Sequence, residues 1–301
     1  MINTLKSNFS SISILKPRIE SSACVFSLPH SGREYMPSFI DSSKLDYKIL
    51  RSSEDFFLDY FFDIAPGYGS SLIKANFPRA FLDLNREPFE LDPDMFCEKL
   101  PEFINTRSKK VALGLGTIPR VVSNSREIYK NKLKWNDAEK RIENFYFPFH
   151  MNLKQLLIKK KSEFGFSVLI DCHSMPSMTQ AIIDSRNHML PDFILGDNFS
   201  KSSSKELSSF IEDFLINKGY TVIRNNPYSG GFITQNYGKP LNNIHAIQIE
   251  INRSLYMDEQ NIEINDGYLL LQKNLKDLIR ELSQITKNNF FSKNHNQLAA
   301  E

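Results

Sequence analysis

The segment Phe166–Cys172 constrains the fold more than any other part of the chain. It is apolar for nearly its whole length, the pattern of a strand buried on both faces. Ala23–Leu28, ending at Pro29, and Ser71–Ala75 read as further strands. His245–Ile251 and Tyr220–Arg224 read the same way, with Ala181–Asp184 and Phe193–Leu195 as short ones. Helical patterns lie between them. Ser53–Ile64 carries acids in its first turn and stops at Pro66–Gly69. Arg141–Phe164 is long, amphipathic and ends near Gly165. In Ser203–Gly219, Leu207, Phe210, Ile211, Phe214 and Leu215 make one face, with Gly219 suited to the C-cap. Asn265–Ile285 reads as a closing helix. Strands alternating with helices of this length predict an α/β single domain, with a mixed, largely parallel sheet flanked by helices. The expected boundaries are a loose segment over 1–20, a catalytic domain over 21–288 and a flexible tail over 289–301.

Composition narrows the classes. Hydrophobic residues make 41% and charged residues 24% of 301, ordinary for a globular protein and enough for a large core. Lys+Arg 37 against Asp+Glu 35 leaves a net charge of +2, without the basic excess of a nucleic-acid binder. No window approaches the ~20 apolar residues that cross a bilayer. Three cysteines, Cys24, Cys97 and Cys172, cannot all pair and lack CxxC spacing, which favours a reducing compartment. The opening MINTLKSNFS has no apolar signal-peptide core. A soluble, cytoplasmic protein is expected. There is no GxGxxG and no P-loop; Gly114-Leu115-Gly116-Thr117 lacks the third Gly and the Lys.

Ligands of open α/β sheets bind beyond the carboxyl ends of the strands. His30 follows the first strand there, and His173 follows the buried strand. In the late strand, Gln248, Glu250 and Asn252 share one face, and burying three unused polar side chains would be costly. Two histidines and a carboxylate make a ligand set for catalytic zinc, which keeps three protein ligands and one open position. By position, Glu34, Glu54 and Asp55 are candidates for the third ligand. Arg79 and Arg86 stand on a loop rich in Asp and Asn, and Arg253 follows the Glu250 strand. Such arginines suit an anionic substrate through two-pronged carboxylate bonds, or pair with nearby acids. Asn225–Gly231 reads as a flexible turn in which Tyr228 is a candidate donor. His150, among Phe145, Phe147 and Phe149, reads as packing; His245 reads as structural; His188 and His295 read as exposed. Cys172 adjoins His173 but faces the other way, which argues against a thiol nucleophile.

Leu28-Pro29-His30-Ser31-Gly32, Ser53-Glu54-Asp55, Asp171-Cys172-His173-Ser174-Met175-Pro176 and Gln248-Ile249-Glu250-Ile251-Asn252-Arg253 resemble the N-formylglutamate amidohydrolase family. The stretches 77–88, 114–120 and 230–238 match as well, so the resemblance spans nearly the whole chain. It implies a phosphorylase/hydrolase-like α/β domain similar to zinc carboxypeptidases and aspartoacylases, with one zinc ion. Its implied ligands are His30, Asp55 and His173, with Glu54 as the alternative third. The resemblance also implies Glu250 as general base and Arg79 as oxyanion donor. Asn85, Arg86 and Arg253 would hold substrate carboxylates, and Asp171 would orient a histidine. The implied substrate is N-formyl-L-glutamate, cleaved to formate and glutamate in histidine breakdown. The alternatives are a zinc amidase or carboxypeptidase on another N-acyl amino acid or a cell-wall peptide, and a non-catalytic binding domain of the same fold.

Overall fold

The computed structural model describes residues 10–122, 125–177 and 191–287. Seven strands form the main sheet: β1 (Ile12–Leu15), β2 (Cys24–Leu28), β3 (Ser71–Ala75), β4 (Ser167–Met175), β5 (Phe193–Gly196), β6 (Val222–Arg224) and β7 (Ile244–Asn252). Their spatial order is β1-β3-β2-β4-β7-β5-β6. The pairs β3–β2, β2–β4, β4–β7 and β5–β6 run parallel, whereas β1–β3 and β7–β5 are antiparallel. The mixed, largely parallel sheet expected from the sequence is present, and both of its long strands lie at its centre.

Alternation within these strands separates two cores. Phe26, Leu28, Ile170, Cys172, Ile249 and Ile251 face one side, under helices α1 (Leu58–Phe62), α3 (Lys205–Asn217) and α4 (Tyr268–Ser283). Val25, Leu169 and Ala246 face the other side, under helix α2 (Phe147–Phe164). Each large apolar side chain withdrawn from water contributes about 1.5–3 kcal/mol. On this second face the apolar residues occupy only the starts of β4 and β7. Further along come Asp171, His173, Gln248 and Glu250, so the sheet changes from core to site along its own length.

Helix ends follow local chemistry. Ser204 caps α3, accepting from the Leu207 amide, and Gly219 stands at φ +92° beyond its end. Gly165 takes φ +79° to close α2. Before α2, a helix over Trp135–Arg141 and a π-turn over Ile142–Tyr146 run straight into it, extending the expected element at its start.

Three expectations change. Ile12–Leu15, expected to be loose, pairs antiparallel with β3 as an edge strand. β4 runs to Met175, so His173 lies inside the strand rather than after it. The helix expected over 53–64 shrinks to α1, preceded by Phe57 in the left-handed region at φ 61°. The Asp55 amide donates to the His30 carbonyl (3.0 Å), which ties the segment beneath β2 and keeps it out of a helix. The strand expected over Ala181–Asp184, the tail 289–301, His188 and His295 lie outside the described residues. No helix among the described residues is long and apolar enough to cross a membrane.

Candidate active site

His30 leaves the end of β2, Asp55 comes up from the tied segment before α1, and His173 points from β4. Their potential ligand atoms lie within 4.8 Å of one another, and all three residues are buried. Asp55 Oδ2 is 3.0 Å from His173 Nδ1 and 3.5 Å from His30 Nδ1. The outer nitrogens face carboxylates: His30 Nε2 is 2.7 Å from Asp83 Oδ1, and His173 Nε2 is 2.9 Å from Asp171 Oδ2. A carboxylate accepts, so both Nε2 atoms carry hydrogen; His173 Nδ1 also makes a hydrogen bond to Asp55 Oδ2, and His30 Nδ1 faces the same carboxylate oxygen. A divalent cation among the three groups would displace that hydrogen and be met by the lone pairs of both Nδ1 atoms and by the carboxylate. His30 Nδ1 is indeed buried without a hydrogen-bond partner. The donor set therefore fits a divalent metal held by two imidazoles and one carboxylate, with acidic residues orienting both rings.

Charge reinforces the arrangement. Burial alone would raise the Asp55 carboxyl, but the bonds and charges of His173 and His30 outweigh it and hold it low. Asp83 is also buried, yet Arg79, His30 and Arg86 keep it well below the ordinary carboxylate range. Burial would lower His173, whereas Asp171 and Asp55 push it well above its ordinary value.

Of the three positional candidates for a third ligand, only Asp55 joins the two imidazoles. Glu54 turns away, accepting from Arg51 (3.1 Å) and the Tyr35 hydroxyl (2.8 Å). Glu34 is exposed, with its backbone amide on Asn76.

Glu250 stands opposite His173 in the β4–β7 register, as Gln248 stands opposite Asp171. Burial, with the repulsion of Asp55, lifts the Glu250 carboxyl to about 7 against the lowering effect of His173. Gln248 donates to Glu250 Oε1 (2.7 Å) and accepts from the Gly231 amide (2.7 Å), linking the carboxylate to the loop that carries Tyr228. Asn252 has a different position from its two face-mates: it caps the turn after β7, accepting from the Ser254 amide.

A cavity of about 420 Å³ opens over this group, lined by His30, His173, Glu250, Arg79, Asn85 and Arg86, with Tyr228 on its wall. Arg79 donates to Asp83 (2.7 Å), and Arg86 donates to the carbonyls of Leu115 (2.8 Å) and Asn85 (2.9 Å). Asn85 Nδ2 lies 3.2 Å from His173 Nε2, while its Oδ1 accepts from the Ile233 amide (2.7 Å).

Arg253 sits apart from that cavity. Its guanidinium donates to Ser174 Oγ (3.1 Å) and the Glu54 carbonyl (2.6 Å) and lies 3.5 Å from Asp55 Oδ1. Those bonds position the Asp55 segment, rather than leaving the fork free for a carboxylate as the sequence reading expected. Cys172 is buried in the opposite core, its thiol raised far up by burial.

Four contributors were not assigned roles from the sequence. Asp83 was there only one of the unnamed acids on the arginine loop, although it holds His30. Gln248 appeared only as part of a polar face. Tyr146 and His150, one helical turn apart, hold the Arg86 carbonyl (2.7 Å) and the Leu84 carbonyl (2.9 Å). His150, buried and stacked on Tyr146, thereby fixes the loop bearing Asp83 and Asn85. Its i, i+4 spacing from Tyr146 was the available signal.

The profile of the N-formylglutamate amidohydrolase family matches residues 22–257. The chain belongs to this family. Membership makes it a hydrolase of an amide bond. It is 29% identical over 240 residues to the N-formylglutamate deformylase of Pseudomonas aeruginosa, covering 78% of this chain and 82% of that one. Against the N-formylglutamate deformylase of Pseudomonas putida the identity is 27% over 238 residues, with the same coverage. The crystal structure of N-formylglutamate amidohydrolase from Ralstonia eutropha superposes with a TM-score of 0.87 at 31% identity, over 93% of this chain and 100% of that one. A gene product of Agrobacterium tumefaciens shares the fold, with a TM-score of 0.62 at 14% identity over 90% and 94% of the two chains.

Proposed function

We propose that the chain hydrolyses N-formyl-L-glutamate to formate and L-glutamate, using one zinc ion held by His30, Asp55 and His173. The single observation carrying this reading is the convergence of two imidazole Nδ1 atoms and a carboxylate under a cavity that also holds Glu250 and two arginines. When bound, the zinc ion supplies Lewis-acid chemistry, polarising the scissile carbonyl and acidifying water.

The chain's own groups do the rest. Glu250, with a carboxyl lifted to about 7, is matched to accepting a proton from water and delivering it to the leaving amine near neutral pH. Gln248 holds one carboxylate oxygen of Glu250, leaving the other for that transfer. Arg79, anchored on Asp83, faces the cavity as donor to the developing oxyanion. Arg86, Asn85 and Tyr228 line the space where the glutamate moiety binds. The formyl carbon–nitrogen bond breaks, water contributes hydroxyl to formate, and its proton goes to the glutamate nitrogen.

The alternative zinc amidases keep the same machinery but differ in the acyl group. A panel of N-formyl, N-acetyl and longer N-acyl glutamates, read by amine release, separates them. Metal analysis of purified protein tests the ion. Turnover confined to N-formylglutamate, at one zinc per chain, is the expected result. No bound metal together with no turnover of any N-acyl amino acid refutes the assignment in favour of a binding domain.

A further inference from the structure

The proposed site contains a cation to which neither the sequence motifs nor the chemistry above assigns a task. A second cavity, of about 430 Å³, adjoins the first and is walled by Leu113, Leu115, Val121 and Met175. Among the described residues, five side chains line both cavities: Arg79, Arg86, Tyr228, Glu250 and Lys110. The first four have roles in the proposed chemistry. Lys110 has none, and its ammonium forms no hydrogen bond or ion pair with another described residue.

We propose that Lys110 determines specificity by receiving the side-chain carboxylate of an N-acyl glutamate whose α-carboxylate is held by Arg86 and Asn85. This rests on the deformylase reading above. The first support is donor supply. Arg79 is committed to Asp83, and Arg86 has its Nε on the Leu115 carbonyl and Nη1 on the Asn85 carbonyl. The remaining Arg86 nitrogen, Nη2, lies 3.8 Å from Asp83 Oδ2 and can serve one carboxylate at most, so a dicarboxylic substrate needs a further cation at the same wall. Lys110 is placed there.

The second support is geometry. Ser108 caps the short helix Lys109–Ala112, and the same loop presents the Leu115 carbonyl that holds Arg86. One segment therefore carries Lys110 and anchors Arg86. The third is electrostatic. Glu87 and Glu90 face the first cavity, but neither lies within ion-pair distance of Lys110, and Glu87 accepts from the Asn105 side chain. Partial withdrawal from water, then repulsion from Arg86, lowers the Lys110 ammonium. An incoming carboxylate offsets both effects with its own charge.

The test compares the parent chain with Lys110→Met and Lys110→Arg on N-formyl-L-glutamate and N-formyl-L-glutamine. These substrates differ only in the side-chain carboxylate. Loss of a charge-assisted bond predicts that Lys110→Met raises KM for N-formylglutamate about 10–100-fold, with kcat changed less than about threefold. KM for N-formylglutamine should stay unchanged, and Lys110→Arg should recover most of the loss. Equal effects on both substrates, or none on either, overturn the inference while leaving the deformylase reading intact. A parent chain inactive on N-formylglutamate overturns both. Unfolding curves matching the parent's establish that the variants fold; should Lys110→Met not fold, Lys110→Gln carries the same expectations.

Discussion

A single methyl group placed at Gly231 tests whether Asn85 is anchored as the structure indicates. Gly231 has φ −83°, which any residue accepts, so alanine strains no backbone there. Its new Cβ, however, would lie 2.5 Å from Asn85 Cγ and closer still to both amide atoms. That is about 1 Å short of the 3.4 Å at which ordinary contact begins. Asn85 must move by about that much. Its 2.7 Å bond from the Ile233 amide would then stretch beyond hydrogen-bonding range, and its amide would leave His173 Nε2. Overpacking costs about 1–3 kcal/mol and a stranded buried amide about 1–3 more, so a loss of about 2–6 kcal/mol is expected. A displacement of about 1 Å beside the reacting groups also predicts a fall of about 10²-fold in kcat/KM. Denaturant unfolding and initial rates measure the two effects. Gly67→Ala is the control, because its Cβ meets nothing within 4 Å. If Gly231→Ala behaves like Gly67→Ala in both assays, Asn85 is not held as described.

Glu250→Gln should keep its metal and lose about 10²–10⁴ in kcat; unchanged turnover at full metal loading excludes Glu250 as the base. Glu250 also predicts a pH dependence of stability. Its carboxyl rises from 4.5 to about 7, so between those values the folded, metal-free protein holds a proton that the unfolded chain has released. Stability contributed by this group therefore falls as pH rises across that window, by about 3 kcal/mol in total. Urea unfolding at pH 5, 6 and 7 should show Glu250→Gln lacking that component; identical slopes in both proteins contradict it. Asp171→Asn should weaken zinc binding about 10–100-fold in a competitive chelator titration, because a neutral amide replaces the charged acceptor that orients His173. His150→Phe strands the Leu84 carbonyl and should cost about 1–3 kcal/mol of stability together with a lower kcat. Stability loss with kinetics intact would show that the loop keeps its place without the histidine.

The parts legible in the sequence were those written as local pattern. Strands β3, β4 and β7 declared themselves through apolar runs, and α3 through its single apolar face and its terminal glycine. His30, His173 and Glu250 could be picked out because they stand where strands deliver residues to one edge of the sheet. What stayed hidden depended on contacts between distant segments. Ile12–Leu15 became a strand by pairing with β3, about sixty residues away, in a stretch too short to announce itself. The missing helical turn before α1 reflects a backbone bond from Asp55 to His30, which overrides the acidic start that favoured a helix. The commitment of Arg253 to Ser174 and Glu54 needed three remote segments at once. Lys110 sits beside another lysine in a helix of four residues, and only the closed fold brings it to the wall of the cavity.

The pairing of His173 with Glu250 across neighbouring central strands also bears on how such a site can change over time. Their spacing is that of adjacent strands, about 4.8 Å, a dimension fixed by the main chain. The pieces that shape the mouth, around Lys110 and Tyr228, belong to connecting segments instead. Exchanging those segments would retune which molecules are admitted while leaving the bond-breaking geometry untouched. A lineage could thus drift in diet without rebuilding its chemistry.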